Sequence, residues 1–260
     1  MNTNSNIYTV IYTTIVVVVV AAALAFVSMK LGPSQKANAK AETLRQMMAA
    51  AQVKSTDELY ASKNAEVLQL YADNIEEAFT INLDGEKVAE LGTDKDNIEL
   101  VDGLKPVNKA IKAGDCSTLP VYKFKGGITV IPVYGAGLWG PIWGYVAFES
   151  DGRTIKGAYF DHESETPGLG AKIKDEPWFR EKFAGKTVNL EAEPAFILAK
   201  NAEESGAANA VDAITGATMT SKGLNNALNT WFEAYSKFLG SIADAANEAE
   251  EEIELTTVEE

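Results

Sequence analysis

The sequence predicts an α+β protein: one N-terminal transmembrane helix, then a mainly antiparallel-sheet domain with flanking helices. Three observations carry this reading. Residues 7–29 contain no charged side chain. Across 119–161, β-branched and aromatic segments alternate with glycine turns. Near the C-terminus Leu224, Leu228, Trp231, Tyr235, Phe238 and Ile242 form one apolar stripe with a period near 3.6 residues. The 260 residues divide into an anchor (1–32), a helical linker region (33–79), a domain (80–243) and an acidic tail (244–260).

The run at 7–29 exceeds the ~20 residues a bilayer requires and is too long for a signal-peptide core. Its valines are tolerable in lipid, where an unpaired backbone costs far more than a weak helix propensity. Lys30, Lys36, Lys40 and Arg45 follow the run and nothing charged precedes it, which by the positive-inside rule places the large domain in the cytoplasm. Gly32-Pro33-Ser34 is expected to break the helix. Residues 39–53 then read as a short helix with Leu44, Met47 and Met48 on one side, the methionines filling a core in preference to marking a partner surface. Residues 56–79 read as a second helical stretch opened by Thr56-Asp57-Glu58.

Beyond it the period falls to two. Residues 79–83 and 88–91 read as strands joined by Asp84-Gly85-Glu86, and 93–114 as a charged loop. Residues 121–124, 128–133, 142–148 and 154–160 read as further strands, separated by Gly126-Gly127, Gly135-Ala136-Gly137 and Asp151-Gly152. A short helix across 175–183, a strand across 188–197 and a polar loop across 201–209 lead to the C-terminal helix.

Composition narrows the chemistry. Charged residues at 23% and hydrophobic residues at 46% describe a folded chain. The single cysteine, Cys116, excludes an internal disulfide and a cysteine metal cluster, and no neighbouring base marks it as reactive. The single histidine, His162, excludes a multi-histidine metal or haem site, so no metal is expected. A net charge of −14 argues against nucleic acid as a partner. Residues 244–260 carry eight acids and no base, so most of the imbalance belongs to a tail expected to be disordered or a solvated extension.

The most informative stretch is Asp212-Ala213-Ile214-Thr215-Gly216-Ala217-Thr218-Met219-Thr220, a small, hydroxyl-rich turn delivered onto the N-terminus of the last helix. Thr220 or Ser221 is the expected N-cap. A helix N-terminus presents unpaired N–H donors and the positive end of the dipole, which suits a phosphate. Gly216 and Ala217 leave room for a bulky group, and a threonine hydroxyl there can carry a phosphodiester. Taken alone, the same residues also describe a turn capping an ordinary packing helix. Two other stretches invite a ligand. Gly135-Ala136-Gly137-Leu138-Trp139-Gly140 permits close approach, or is a bulged hairpin with core tryptophans. Glu165-Thr166-Pro167-Gly168-Leu169-Gly170 is a Pro-Gly turn.

Asp212, Thr215, Gly216, Ala217, Thr218 and Thr220 resemble the flavinylation motif of the FMN-binding domain family of respiratory flavoproteins. The resemblance implies FMN joined covalently through its phosphate to Thr220 by a flavin transferase. Gly-x-Gly-Leu-Trp and Glu-Thr-Pro-Gly-Leu-Gly resemble the same family's flavin pocket. It implies that Trp139 stacks near the ring, that Glu165 and Thr166 hydrogen-bond to its edge and that Leu169 packs on its face. Lys222 either balances the phosphodiester charge or is an ordinary exposed lysine. In their order too the motifs resemble that family, and the resemblance implies a flavoprotein subunit that passes electrons beside the other subunits of a membrane NADH:quinone oxidoreductase coupled to sodium export. It also implies a domain on the outer face of the bacterial inner membrane, against the charge rule. Alternatives are the flavin subunit of an ion-translocating ferredoxin:NAD oxidoreductase, a stand-alone flavin reductase outside the cytoplasm, and a non-redox membrane-tethered binding module. No Rossmann fingerprint is present, so this chain is not expected to oxidise NADH alone.

Overall fold

A computed structural model describes residues 6–258, with side chains described as far as Glu248. The chain divides into two compact units, Met1–Glu42 and Thr43–Glu260, and the division falls inside helix α1 (Asn6–Ala50).

In the first unit, α1 is long and apolar enough to cross a membrane. The hydroxyls of Thr13 and Thr14 donate back to carbonyls one turn earlier, so each donor has a partner within the helix. The expected break at Gly32-Pro33-Ser34 does not occur; the helix runs on through Pro33. Proline removes the hydrogen bond to the carbonyl four residues back and crowds that carbonyl, but its fixed φ is itself helical and the flanking turns carry the helix through.

The second unit is a six-stranded antiparallel sheet between two helical layers. Helices α2 (Thr56–Ala61) and α3 (Asn64–Asn74) precede strand β1 (Ile75–Ile81). The stretch 56–79 is therefore two helices and a strand, not one helix. Ser55 and Glu58 form a capping box that starts α2, the chain turns extended at Ser62-Lys63, and Ile75 onward pairs with a neighbouring strand. From Thr43 the residues expected to be a linker belong to this unit. Strand β2 (Lys87–Glu90) follows a turn in which Gly85 adopts φ +82°. The charged stretch expected to be a loop contains a single 3₁₀ turn and helix α4 (Leu104–Ala113), bounded by Gly103 and Gly114.

Strands β3 (Leu119–Phe124), β4 (Ile128–Ala136), β5 (Pro141–Phe148) and β6 (Ile155–His162) complete the sheet in the order β2-β1-β3-β4-β5-β6. Alternation along β3 assigns the faces. Val121 joins the large apolar core, while Phe124 on the other face meets Tyr71 of α3 edge-on at 5.7 Å. Leu44, Met47 and Met48 at the end of α1 are fully buried, as expected of core fillers.

Two short helices follow, α5 (Lys172–Asp175) and α6 (Pro177–Glu181). The strand expected over 188–197 is confined to β7 (Ile197–Ala199), which pairs in parallel with β8 (Ala210–Asp212). Glu191, Glu193 and Pro194 make the preceding segment a poor strand. Side chains of the last helix hold β7 in place, Asn225 and Asn229 accepting from the N–H groups of Leu198 and Phe196 at 2.8 and 3.0 Å.

That last helix, α7, spans Thr218–Val258. Its expected stripe is buried: Leu224, Leu228, Trp231 and Tyr235 are fully inaccessible. Trp231 donates its indole N–H to the Tyr134 carbonyl, and Tyr235 its hydroxyl to the Pro120 carbonyl. These bonds fix α7 against β4 and β3. The tail is helical to Val258 rather than a disordered extension, and its last two residues lie outside the described ones.

Candidate functional site

Three segments converge on Thr220. The first is the turn before α7. Gly216 adopts φ +84°, and the Ala217 N–H donates to the Ile214 carbonyl at 3.1 Å. The helix begins at Thr218, so Thr220 and Ser221 lie within its first turn instead of capping it. From inside the helix the Ser221 hydroxyl accepts the Ile214 N–H at 3.2 Å, tying turn to helix. Ile214 and Ala217 are buried anchors. Asp212, at the end of β8, accepts the Glu203 N–H at 3.0 Å and lies 3.9 Å from the Lys182 ammonium.

The second segment is 165–170. The Glu165 carboxylate is 4% exposed. One oxygen accepts the Thr220 hydroxyl at 2.5 Å and the other accepts the Trp139 N–H at 2.9 Å. The Glu165 N–H donates to His162 Nδ1 at 3.2 Å, which puts the histidine proton on Nε2, a buried atom with no partner among the described residues. Thr220 itself is 2% exposed.

The third segment is the β4–β5 hairpin. Glycine is required here by contact. A Cβ on Gly137 would fall 2.4 Å from the Glu165 oxygen that accepts the Trp139 N–H. One on Gly170 would fall 2.4 Å from the oxygen that accepts the Thr220 hydroxyl, and equally close to that hydroxyl. The carboxylate is thus held between two glycines. The core-tryptophan reading fails for Trp139, which is 66% exposed. Leu138, Leu169 and Met219 are exposed beside it, giving the site an apolar rim. Leu169 reaches Gly216, its Cδ2 only 3.2 Å from where a Cβ there would lie. Thr166, on the same loop, is exposed.

Beside the turn lies a cleft of about 400 Å³ lined by Ile214, Thr215, Gly216, Thr218, Ser221 and Lys222. That volume lies within the usual range for small-molecule sites. The chemistry suits a phosphorylated aromatic ligand. The first N–H groups of α7 have no partner within the helix by virtue of their position, Lys222 is a nearby exposed cation, and the apolar rim offers a face for a ring.

The sequence did not point to the support beneath the site. Asp161 is 4% exposed and accepts from Gln46 at 2.9 Å, Lys174 at 2.9 Å and the His162 N–H at 2.7 Å. Trp143 donates its indole N–H to the Gln46 amide oxygen at 3.2 Å. A buried charge so paired orients β6 where it hands over to His162 and Glu165.

The fold and the three converging segments define an FMN-binding-domain protein, and the family model described as FMN-binding domain matches residues 137–233. That interval holds Trp139, Glu165 and Thr220 together. The chain belongs to the family of the C subunit of the Na(+)-translocating NADH-quinone reductase. The Vibrio parahaemolyticus member of that family is 30% identical over 229 residues, covering 82% of this chain and 86% of that one. The Yersinia pestis member is 34% identical over 120 residues, and the chain spans only 45% of that relative's length. The crystal structure of the Parabacteroides distasonis member superposes with a TM-score of 0.65 at 33% identity, covering 80% of this chain and 96% of that one.

Proposed function

We propose that the chain carries FMN as a phosphoester of Thr220 and serves as an electron-carrying subunit of a sodium-translocating NADH:quinone reductase in the bacterial inner membrane. The observation that carries this is the meeting of the Trp139, Glu165 and Thr220 segments at one shared carboxylate. Bound flavin supplies one- and two-electron transfer. The chain's own residues hold and orient. The first N–H groups of α7 and Lys222 meet the phosphate. Gly216 leaves the approach open, and Thr215, Ala217 and Thr218 shape the turn. Trp139 and Leu169 offer apolar contact to the ring, and Thr166 offers a hydroxyl at the loop's surface. Asp212 braces the strand that leads into the turn.

In this reading, NADH is oxidised on another subunit and quinone is reduced in the membrane. α1 anchors the chain, the domain stands on the outer side, and a flavin transferase installs the cofactor during maturation. The names of the relatives support the complex, and the length and composition of α1 support the anchor.

The test is the intact mass of the chain from its native membrane, alongside Thr220→Ala. A gain of one FMN less one water, lost in the variant, is expected. An unmodified native chain overturns the reading.

A further inference from the structure

The Thr220 hydroxyl donates to the buried Glu165 carboxylate. We propose that Glu165 is a catalytic residue for the chain's own modification: it takes the Thr220 proton as the phosphoester forms. The inference rests on the reading above that Thr220 is the attachment point.

Three observations carry it. First, the reach is right. Thr220 donates to Glu165 at 2.5 Å, just under the hydrogen-bond reach of about 2.6–3.2 Å expected between a nucleophile and its base. Second, the base is itself oriented. Its other oxygen accepts the Trp139 N–H at 2.9 Å and its own N–H is held by His162, so the acceptor lone pairs face Thr220. Third, the chain makes room for this arrangement and no larger one. Gly137 and Gly170 stand where any Cβ would strike the carboxylate, and at Gly170 it would also strike the hydroxyl. A carboxylate whose only task was to fill space would not need two bare backbone positions around its oxygens.

An alcohol is a weak nucleophile at neutral pH, and a single positioned base contributes typically 10²–10⁴-fold. The donor must be an FMN activated as a phosphoanhydride, a flavin dinucleotide being the simplest. The bond from Thr220 Oγ1 to the FMN phosphorus forms. The phosphoanhydride P–O bond on the far side breaks, and the adenylate leaves with that electron pair. The hydroxyl proton passes to Glu165 and from there to water. Nothing is oxidised or reduced.

The experiment follows covalent incorporation with time in the full-length chain in detergent. Flavin transferase and flavin adenine dinucleotide are supplied between pH 6 and 9, with intact mass and in-gel flavin fluorescence as readouts. The parent, Glu165→Gln, Glu165→Asp and Thr220→Ala are compared, with circular dichroism as the check on folding. Expected is a folded Glu165→Gln that is modified ~100-fold or more slowly at pH 7. Its rate should climb as pH rises, because hydroxide replaces the missing base; loss of packing alone would not produce that recovery. Glu165→Gln modified within threefold of the parent overturns the proposal and leaves the attachment at Thr220 standing. A parent that takes up no flavin, like Thr220→Ala, overturns both. Should Glu165→Gln fail to fold, Glu165→Asp decides. Withdrawing the acid by one methylene should slow modification at least tenfold, and a parent-like rate overturns the proposal.

Discussion

Gly223 and Gly240 both lie within α7, and the same substitution should move stability in opposite directions at the two positions. In a helix interior, glycine to alanine gains about 1 kcal/mol, since alanine has less backbone freedom to lose. At Gly240 nothing lies within 4 Å of the new Cβ, so that gain should appear in full. At Gly223 the Cβ would stand 2.2 Å from the Ala136 carbonyl oxygen. Carbon–oxygen contacts settle near 3.3 Å, so helix and hairpin must part by about 1 Å. Overpacking of that kind costs about 1–3 kcal/mol, and a backbone atom on both sides puts it at the upper end. Subtracting the propensity gain leaves Gly223→Ala destabilised by about 2 kcal/mol. For a domain of this size, Gly240→Ala should raise the melting temperature by about 2–4 °C and Gly223→Ala should lower it by about 4–8 °C. Thermal unfolding of both variants in detergent, followed by circular dichroism at 222 nm, measures the pair. Equal shifts of the same sign would refute the claim that the α7–hairpin contact is closed to a side chain. Gly223 lies three residues past Thr220 and Ala136 three before Trp139, so the displaced contact is also the one that sets the site.

Two further outcomes follow from buried tyrosines. Burial raises the pKa of Tyr71, Tyr122, Tyr145 and Tyr235 above the ordinary 10.0. Unfolded phenols ionise near pH 10 while the buried ones stay protonated, so the unfolded chain binds fewer protons there. The stability these groups contribute is complete below pH 10 and is lost as pH rises above it. The slope approaches about 1.4 kcal/mol per pH unit for each phenol, about 5 for four. Guanidinium midpoints from pH 8 to 11 should be level and then drop; a level profile throughout would sink the argument. The Tyr71 hydroxyl is buried with no partner among the described residues, whereas Tyr235 donates to Pro120 at 2.7 Å. Tyr71→Phe should therefore be neutral or stabilising by up to about 1 kcal/mol, and Tyr235→Phe destabilising by about 1–2 kcal/mol, in denaturant titrations. The reverse order would contradict the hydrogen-bond assignment.

Local signals were legible in the sequence and long-range ones were not. Strands β3 to β6 could be read because glycine turns separate them, three of those glycines adopting positive φ at Gly126, Gly127 and Gly152. α7 could be read because six apolar residues keep one period over five turns. α4 was hidden by its lysines, although Val107 and Ile111 mark an apolar face and Gly103 and Gly114 bound it. β7 and β8 are three residues each, too short to show a period, and Asn225 and Asn229 of α7 hold β7 by its backbone. The N-cap was misplaced because Ser221 reaches back to Ile214 from inside the helix, a use of the hydroxyl that spacing does not distinguish from capping. The bond from Thr220 to Glu165 spans 55 residues and depends on the sheet carrying β6 to the start of α7. Family resemblance placed the two segments at one site, but no spacing within either predicts the bond between them.

An open platform explains why the proposed attachment is covalent. Trp139, Leu138, Leu169 and Met219 are each at least 44% exposed, so a ring lying on them keeps one face in solvent or against a partner. Tight small-molecule sites bury about 70–90% of their ligand, and a one-sided platform falls short of that. Contact alone would then hold the flavin weakly. Enclosing the ring would strengthen binding but wall it off from the next carrier. An ester at Thr220 removes dissociation without enclosing anything, so holding and exposure cease to compete. In the proposed function the two tasks are divided between segments: the α7 turn would retain the phosphate, while the hairpin and the 165–170 loop would present the ring.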